Sequence, residues 1–194
     1  MQTSTMAFGL LMTTACAHAL EGRPATTPTN KAATQMTTTL PTPKATIVDA
    51  SIAAPELASM TLAARRYFAF WDNGDAALAR AALAPEFVDH TLPPGRPQGP
   101  DGPLFASEQF RRAVPDLRCE VEEMLLVSDR AVARLHFTGH FTGTFGKDAL
   151  RGDGRPVDFI ATDIYRITGG RIVEDWHLED NLTLLQQLGV VAAS

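Results

Sequence analysis

Arg171-Ile172-Val173-Glu174-Asp175-Trp176-His177-Leu178-Glu179-Asp180, running into Asn181-Leu182-Thr183-Leu184-Leu185-Gln186-Gln187-Leu188-Gly189, decides how this chain folds. It reads as a strand that hands over to a short helix. Side chains on a strand alternate between faces. Ile172, Glu174, Trp176, Leu178 and Asp180 are therefore expected on one face, and Arg171, Val173, Asp175, His177 and Glu179 on the other. The first set is mostly apolar and ends in a carboxylate. Sheltered beside Trp and Leu, that carboxylate has its charged form disfavoured and its pKa raised, which suits proton transfer near neutral pH. Asp at a helix start is also a good N-cap. Both readings of Asp180, acid/base and cap, stand at this point.

Working outward, Thr168-Gly169-Gly170 is a tight turn, so a strand before it pairs antiparallel with Arg171 to Asp180. That strand, Arg155 to Ile167, sets Val157, Phe159, Ala161, Asp163, Tyr165 and Ile167 on one face. Asp163 is again a carboxylate on an otherwise apolar face. Leu117 to Val127 and Arg130 to Phe141 are two more strands joined at Ser128-Asp129. In the second of them Ala131, Ala133, Leu135, Phe137 and Phe141 share a face, with Arg134, His136 and His140 opposite. Phe145 to Gly154 reads as a flexible loop. Upstream, Leu57, Met60, Leu62, Ala64, Tyr67, Phe68 and Trp71 recur at helical spacing after Pro55, and Asn73-Gly74 stops the helix. Asp75 opens a second, Ala-rich helix, and Pro103 to Ala113 suggests a third. Between them lie a short strand, Glu86 to His90, and a Pro/Gly loop, Pro93 to Gly102, of the kind that often rims a site. Helices first and a meander of long strands afterwards indicate an α+β fold.

The chain has 194 residues, 45% of them hydrophobic, and a net charge of -5, which suits one globular domain with extra sequence. The mildly acidic balance gives no footprint for nucleic acid or an anionic membrane surface, and no apolar run is long enough to span a bilayer. The N-terminal part differs from the rest. Met6 to Met12 is a short apolar core and Ala17-His18-Ala19 a small-x-small site, as in a secretory signal peptide over residues 1–20. The expected location is then secreted or periplasmic, with the cytoplasm as the alternative if the segment is no leader. Residues 21–50 are rich in Thr, Pro and Ala and read as a disordered linker. The domain is expected over 51–194. Cys16 and Cys119 form no metal pattern or disulfide framework.

The domain resembles the SnoaL-like polyketide cyclases (ester cyclase-like), a group of the nuclear transport factor two-like superfamily. The resemblance is carried by Phe87-Val88-Asp89-His90 with Gly99 and Gly102, Val114-Pro115-Asp116-Leu117, Thr138-Gly139-His140-Phe141-Thr142-Gly143 and Gly154-Arg155-Pro156-Val157. Asp163-Ile164-Tyr165-Arg166-Ile167, Gly170 to Trp176, Asp180 and Gln186-Gln187-Leu188-Gly189 complete it. It implies a cone-shaped α+β barrel, with a curved, mainly antiparallel sheet wrapped on about three N-terminal helices and an apolar pocket at the open end. It also implies ring closure by an intramolecular aldol reaction, using an aspartate acid/base and no metal or cofactor. The matching aspartate is Asp180, with His140 and His90 as assistants. The scaffold also serves isomerases, dehydratases and hydrolases, so fold alone does not choose the reaction.

The reading that follows places Asp180 as the group that takes and returns a proton next to a carbonyl, while His140 or His90 holds the developing enolate oxygen. Trp176, Phe68 and Trp71 would wall the pocket, and Asp163 would be a further polar contact to a small apolar organic substrate. A metal is not expected: His136 and His140, four apart on a strand, are about 13 Å apart. The rival reading is a non-catalytic domain that holds a small ligand or dimerises through an outer sheet face. A homodimer suits either.

Overall fold

The computed structural model describes residues 39–147 and 149–192; the expected signal peptide and most of the expected linker lie outside them. The first helix, α1 (Ala54–Asn73), starts with Pro55 in its first turn and turns Met60, Ala63, Ala64, Tyr67, Phe68 and Phe70 into the core. Gly74 closes it with φ 76°, its N–H reaching Phe70 O at 2.7 Å. That left-handed position favours glycine. A Cβ there would also lie 2.7 Å from Arg111 Nε, so the turn is doubly restricted. Asp75 caps α2 (Ala76–Ala82) by accepting from Ala77 N at 2.9 Å. Next come β2 (Leu83–Asp89) and α3 (Asp101–Ala113).

The remaining strands are β3 (Arg118–Val127), β4 (Arg130–Phe141), the short pair β5 (Thr144–Phe145) and β6 (Leu150–Arg151), β7 (Arg155–Thr168) and β8 (Arg171–Glu179); α4 (Asn181–Gln187) ends the fold. The segment read as a flexible loop thus holds a two-stranded hairpin. β3, β4, β7 and β8 form the antiparallel meander anticipated from the turns, within a six-stranded sheet ordered β1-β3-β4-β7-β8-β2. The sheet is curved but does not close into a barrel. Its edge strands, β1 (Ala45–Val48) and β2, both run parallel to their neighbours. The inner face of the sheet packs on α1, and one aromatic-rich core fills the space between them.

Two features correct the sequence reading. First, the ordered domain starts before residue 51. β1 pairs with β3 from Ala45↔Glu123 to Val48↔Leu126, and Arg65 grips the chain ahead of it, donating to Leu40 O and Pro41 O at 2.7 Å each. All four β1 side chains are exposed, so the strand carries no burial pattern that sequence could reveal.

Second, β8 contains a bulge. Ile167 pairs with Ile172 but Arg166 with Glu174, so Val173 is an extra residue in the ladder. An extra residue reverses the facing of everything beyond it. Ile172 points inward, and after the bulge Asp175 and His177 do so, while Leu178 is 74% exposed. The faces expected from simple alternation are therefore exchanged from Glu174 onward.

Replacing Arg65 by Ala removes two charge-assisted hydrogen bonds worth about 1.5 kcal/mol or more each. Amide exchange is expected to speed up by at least roughly tenfold in β1 and its flanking amides, Lys44 and Asp49, and to stay unchanged in β4 and β7. Unchanged β1 exchange would show that Arg65 does not hold the strand.

Candidate active site

A cleft opens between the C-terminal half of α1, α3 and the inner faces of β4, β7 and β8, enclosing about 490 Å³ of empty space, part of it open to solvent. One end is aromatic. Phe137 stacks on Phe159 at 5.0 Å between ring centroids, Trp71 meets Phe137 edge-on at 6.2 Å, and Phe110 stacks on Phe159 at 6.1 Å. The other end gathers Asp89, Arg96, Asp163, Asp175, His177 and Glu179.

These polar groups converge because four backbone segments deliver them. Asp163 and His177 are cross-strand partners on β7 and β8. Asp175 lies between Tyr165 of β7 and Asp89 of β2 in the ladder. Glu179 pairs with Ala161. His177 Nε2 is 3.1 Å from both Asp89 oxygens. Its Nδ1 is 2.9 Å from Glu179 Oε1, close but poorly aligned, so that contact is an ion pair and not a directed hydrogen bond. Asp89 Oδ1 also accepts from Thr91 N at 2.8 Å, and Thr91 Oγ1 accepts from His177 N at 2.7 Å. The Gln98 side chain bonds both backbone groups of Asp89, at 2.8 and 2.9 Å, and Arg96 Nη1 comes within 3.9 Å of Asp89 Oδ2. The Pro/Gly loop is thereby fastened to the end of β2, at the mouth of the cleft.

Burial and charge pull these groups apart in pKa. Burial alone pushes the His177 imidazole down, but the hydrogen bond with Asp89 and the contact with Glu179 outweigh it and hold it at about 10. Burial pushes Asp89 and Glu179 up, and His177 more than reverses this, so both end below the ordinary carboxylate range. Asp163 is fully buried; desolvation raises it to about 6 in spite of the hydrogen bond that Tyr165 Oη donates to its Oδ2. Asp175 is pushed well above the usual range, first by burial and then by the charge of Asp163. The cleft therefore gathers an imidazolium, two carboxylates that it holds low, one carboxyl able to exchange its proton near neutrality and one, Asp175, whose charged form burial disfavours. Pairs of acids driven apart in this way are what general acid–base chemistry uses.

A family model for the SnoaL-like polyketide cyclases matches residues 61–188. The chain belongs to that family. Among solved structures it is similar to a Bacillus cereus ATCC 10987 protein provisionally named a polyketide cyclase (45% identity, TM-score 0.73, 81% of this chain and 99% of that one). It is also similar to TsrD of Streptomyces laurentii (27%, 0.61, 69% and 97%). IdmH of Streptomyces antibioticus, again provisionally named a polyketide cyclase, matches at 27% identity and TM-score 0.57 over 66% of this chain and 96% of its own. Among curated proteins none is significantly similar to the chain.

For this SnoaL-like domain the structure redistributes the residues singled out from sequence. Asp163 and Trp71 line the cleft. Asp180 does not: its side chain is exposed, caps α4 by accepting from Thr183 N at 3.1 Å and Thr183 Oγ1 at 2.7 Å, and these bonds lower its pKa. The expectation of a sheltered Asp180 is overturned, because the bulge at Val173 sends that parity outward. Trp176 goes outward with it, stacking on His90 at 4.4 Å and lying under Arg130. His90 follows the inward Asp89 by one residue, which puts it on the outer face beside Glu174. His140 is also exposed, its Nδ1 2.7 Å from Asp116 Oδ2. Phe68 is wholly buried against Tyr165, in the core behind the cleft. Sequence reasoning missed Asp89, Arg96, Asp175, His177 and Glu179. The usable signal was Asp163, since whatever pairs with it on β8 shares its face; the bulge makes that residue His177 instead of Trp176.

Metal-ligand types also approach one another outside the cleft. Among the described residues Glu120, Glu122 and His136 bring ligand-type atoms within 4.8 Å, but Lys44 Nζ already sits on the two carboxylates at 2.9 and 2.7 Å.

Removing His177 leaves Asp89 and Glu179 without their shared cation. His177→Leu is expected to cost about 3–5 kcal/mol of stability, the usual cost of stranding one side of a buried ion pair. In the parent protein, raising the imidazole pKa from 6.5 to about 10 stabilises the fold fully below 6.5, and that contribution falls away as pH rises towards 10. Urea midpoints should therefore decline from pH 6.5 upward in the parent and stay flatter in the variant. Equal slopes would show that His177 is not held charged.

Proposed function

We propose that the protein catalyses a cofactor-independent ring closure, or a related isomerase or lyase step, on a small and largely apolar carbonyl compound of polyketide type, with Asp163 as the acid/base. The observation that carries this is a buried carboxyl with a pKa of about 6 at the junction of an aromatic wall and a polar floor. Ionised Asp163 removes a proton from the carbon next to a carbonyl; the C–H electron pair becomes a C=C bond and the carbonyl oxygen becomes an enolate. For an aldol closure the enolate carbon then bonds to a second carbonyl of the same molecule, whose oxygen takes the proton back from Asp163. No electron acceptor enters the balance. Aromatic rings suit flat conjugated substrates and keep water from the enolate.

His177 is a positioning residue in this scheme. Its Nε2 faces Asp89 and its Nδ1 faces Glu179, so it has no nitrogen free for substrate. It fixes the floor that Asp163 works above. As a partner we propose a second copy of the chain: Ile160, Ile164 and Leu178 form an apolar group on the outer sheet face, 58%, 40% and 74% exposed.

Exchange of α-protons for deuterium in a small cyclic ketone, followed by NMR, tests the acid/base assignment without knowledge of the natural substrate. Asp163→Asn should slow exchange by about 10²–10⁴-fold, and the parent rate should fall as pH drops through about 6, where the base becomes protonated. Asp180→Asn, which keeps the helix cap, should leave exchange unchanged. Exchange that survives in Asp163→Asn rejects the role. Sedimentation equilibrium tests the dimer: the parent should sediment as a dimer and Ile160→Lys/Leu178→Lys as a folded monomer, whereas a monomeric parent rejects it.

A further inference from the structure

Asp175 is left without a task by proton transfer at Asp163. It is 3% exposed, it lines the cleft, and its Oδ1 is sealed from solvent with no hydrogen-bond partner among the described residues. A buried polar atom in that state is costly and calls for an explanation. The groups that face it come from every neighbouring element: Asp89 on β2, Asp163 and Tyr165 on β7, His177 and Glu179 on β8, Tyr67 on α1, and Arg96 on the loop. Four carboxyls thus share two cations. His177 is engaged by Asp89 and Glu179, and Arg96 lies nearest Asp89. Tyr165 donates its hydroxyl proton to the bond with Asp163. His177 only partly offsets a charge on Asp175, while burial and the charges of Asp163, Asp89 and Glu179 oppose one. Holding its proton is the arrangement that avoids an unpaired buried charge. A neutral carboxyl brings an O–H that needs an acceptor, and among the described residues nothing bonds Oδ1.

We propose that Asp175 donates a hydrogen bond to the reacting oxygen of the substrate, first as a carbonyl and then as the enolate formed when Asp163 takes the α-proton. This rests on the reading of Asp163 as the base and supplies the donor that a weak carbon acid requires. A preorganised donor in a site poor in water gains strength as charge develops on the oxygen. It also selects the ligand class: ketones, enols and phenols bind, and ammonium compounds, which need an ionised Asp175, do not.

Two readouts that need no turnover test it. At neutral pH, difference infrared spectra of the full-length protein should contain a protonated-carboxyl band that is lost in Asp175→Asn, persists in Asp163→Asn, and shifts when 2-naphthol, an enolate mimic, is added. Naphthol affinity should fall by about 10²–10³-fold in Asp175→Leu. It should change far less in Asp175→Asn, whose amide still donates. Should the Leu variant fail to fold, the Asn variant and the infrared band decide. The proposal is overturned if the band is absent or belongs to Asp163, if naphthol binds the parent no better than the Leu variant, or if a naphthyl ammonium compound binds in its place. Failure of Asp163 as base appears separately, as α-proton exchange that survives Asp163→Asn.

Discussion

An imidazolium enclosed by carboxylates is the constraint on which the cleft depends. Three backbone segments meet at His177: β2 through Asp89, β8 through its own residues, and the loop through Thr91. A buried ion pair of this kind seldom adds net stability over a well-packed apolar substitute, because both charges lose their water. Its effect is on arrangement. Any pairing of β2 and β8 that separated Asp89 from His177 would leave charges buried alone, so the electrostatics select the register Asp89↔Asp175 among apolar alternatives. The sheet edge and the polar floor of the cleft are thereby fixed by the same contact.

Much of the fold was legible, for identifiable reasons. In β4 and β7 every inward residue from Ala131 to Phe137 and from Val157 to Ile167 follows strict alternation, and both strands fold as that pattern dictates. α1 follows its helical stripe. β8 does not follow alternation, because a bulge at Val173 leaves no mark in residue type; Ile172 and Trp176 look like one face until the ladder counts show an extra residue between them. The two readings of Asp180 were both chemically sound, and only that count separates them. β1 escaped notice for the opposite reason: it buries none of its side chains and is held by backbone bonds and Arg65, neither of which leaves a hydrophobic signature.

The bulge has a chemical consequence as well as a geometric one. Without it, Trp176 and Leu178 would face Asp163 across the sheet and the cleft would be an apolar pocket with a single acid. With it, Asp163 faces His177, and Asp175 and Glu179 flank that pair on β8. An isolated acid has its pKa set by desolvation alone, whereas here like-charge repulsion and a nearby cation act together and separate the acids into distinct protonation states. One inserted residue thus converts a sheltered carboxyl into a graded set of proton-holding groups.

The mouth of the cleft belongs to the same network. The Pro/Gly loop is tied back at Asp89 by Gln98, whose amide bonds both backbone groups there, and by Arg96, which lies near the Asp89 carboxylate and helps keep Glu179 ionised. The wall formed by this loop is bounded by exposed turns, with positive φ at Gly95 and Gly99, so it has fewer packing constraints than the strands opposite. Of the two cations that face the four carboxyls, Arg96 is the one carried on this loop. Part of the charge that balances the floor is therefore carried on the segment at its mouth, where Arg96 lowers both Asp89 and Glu179.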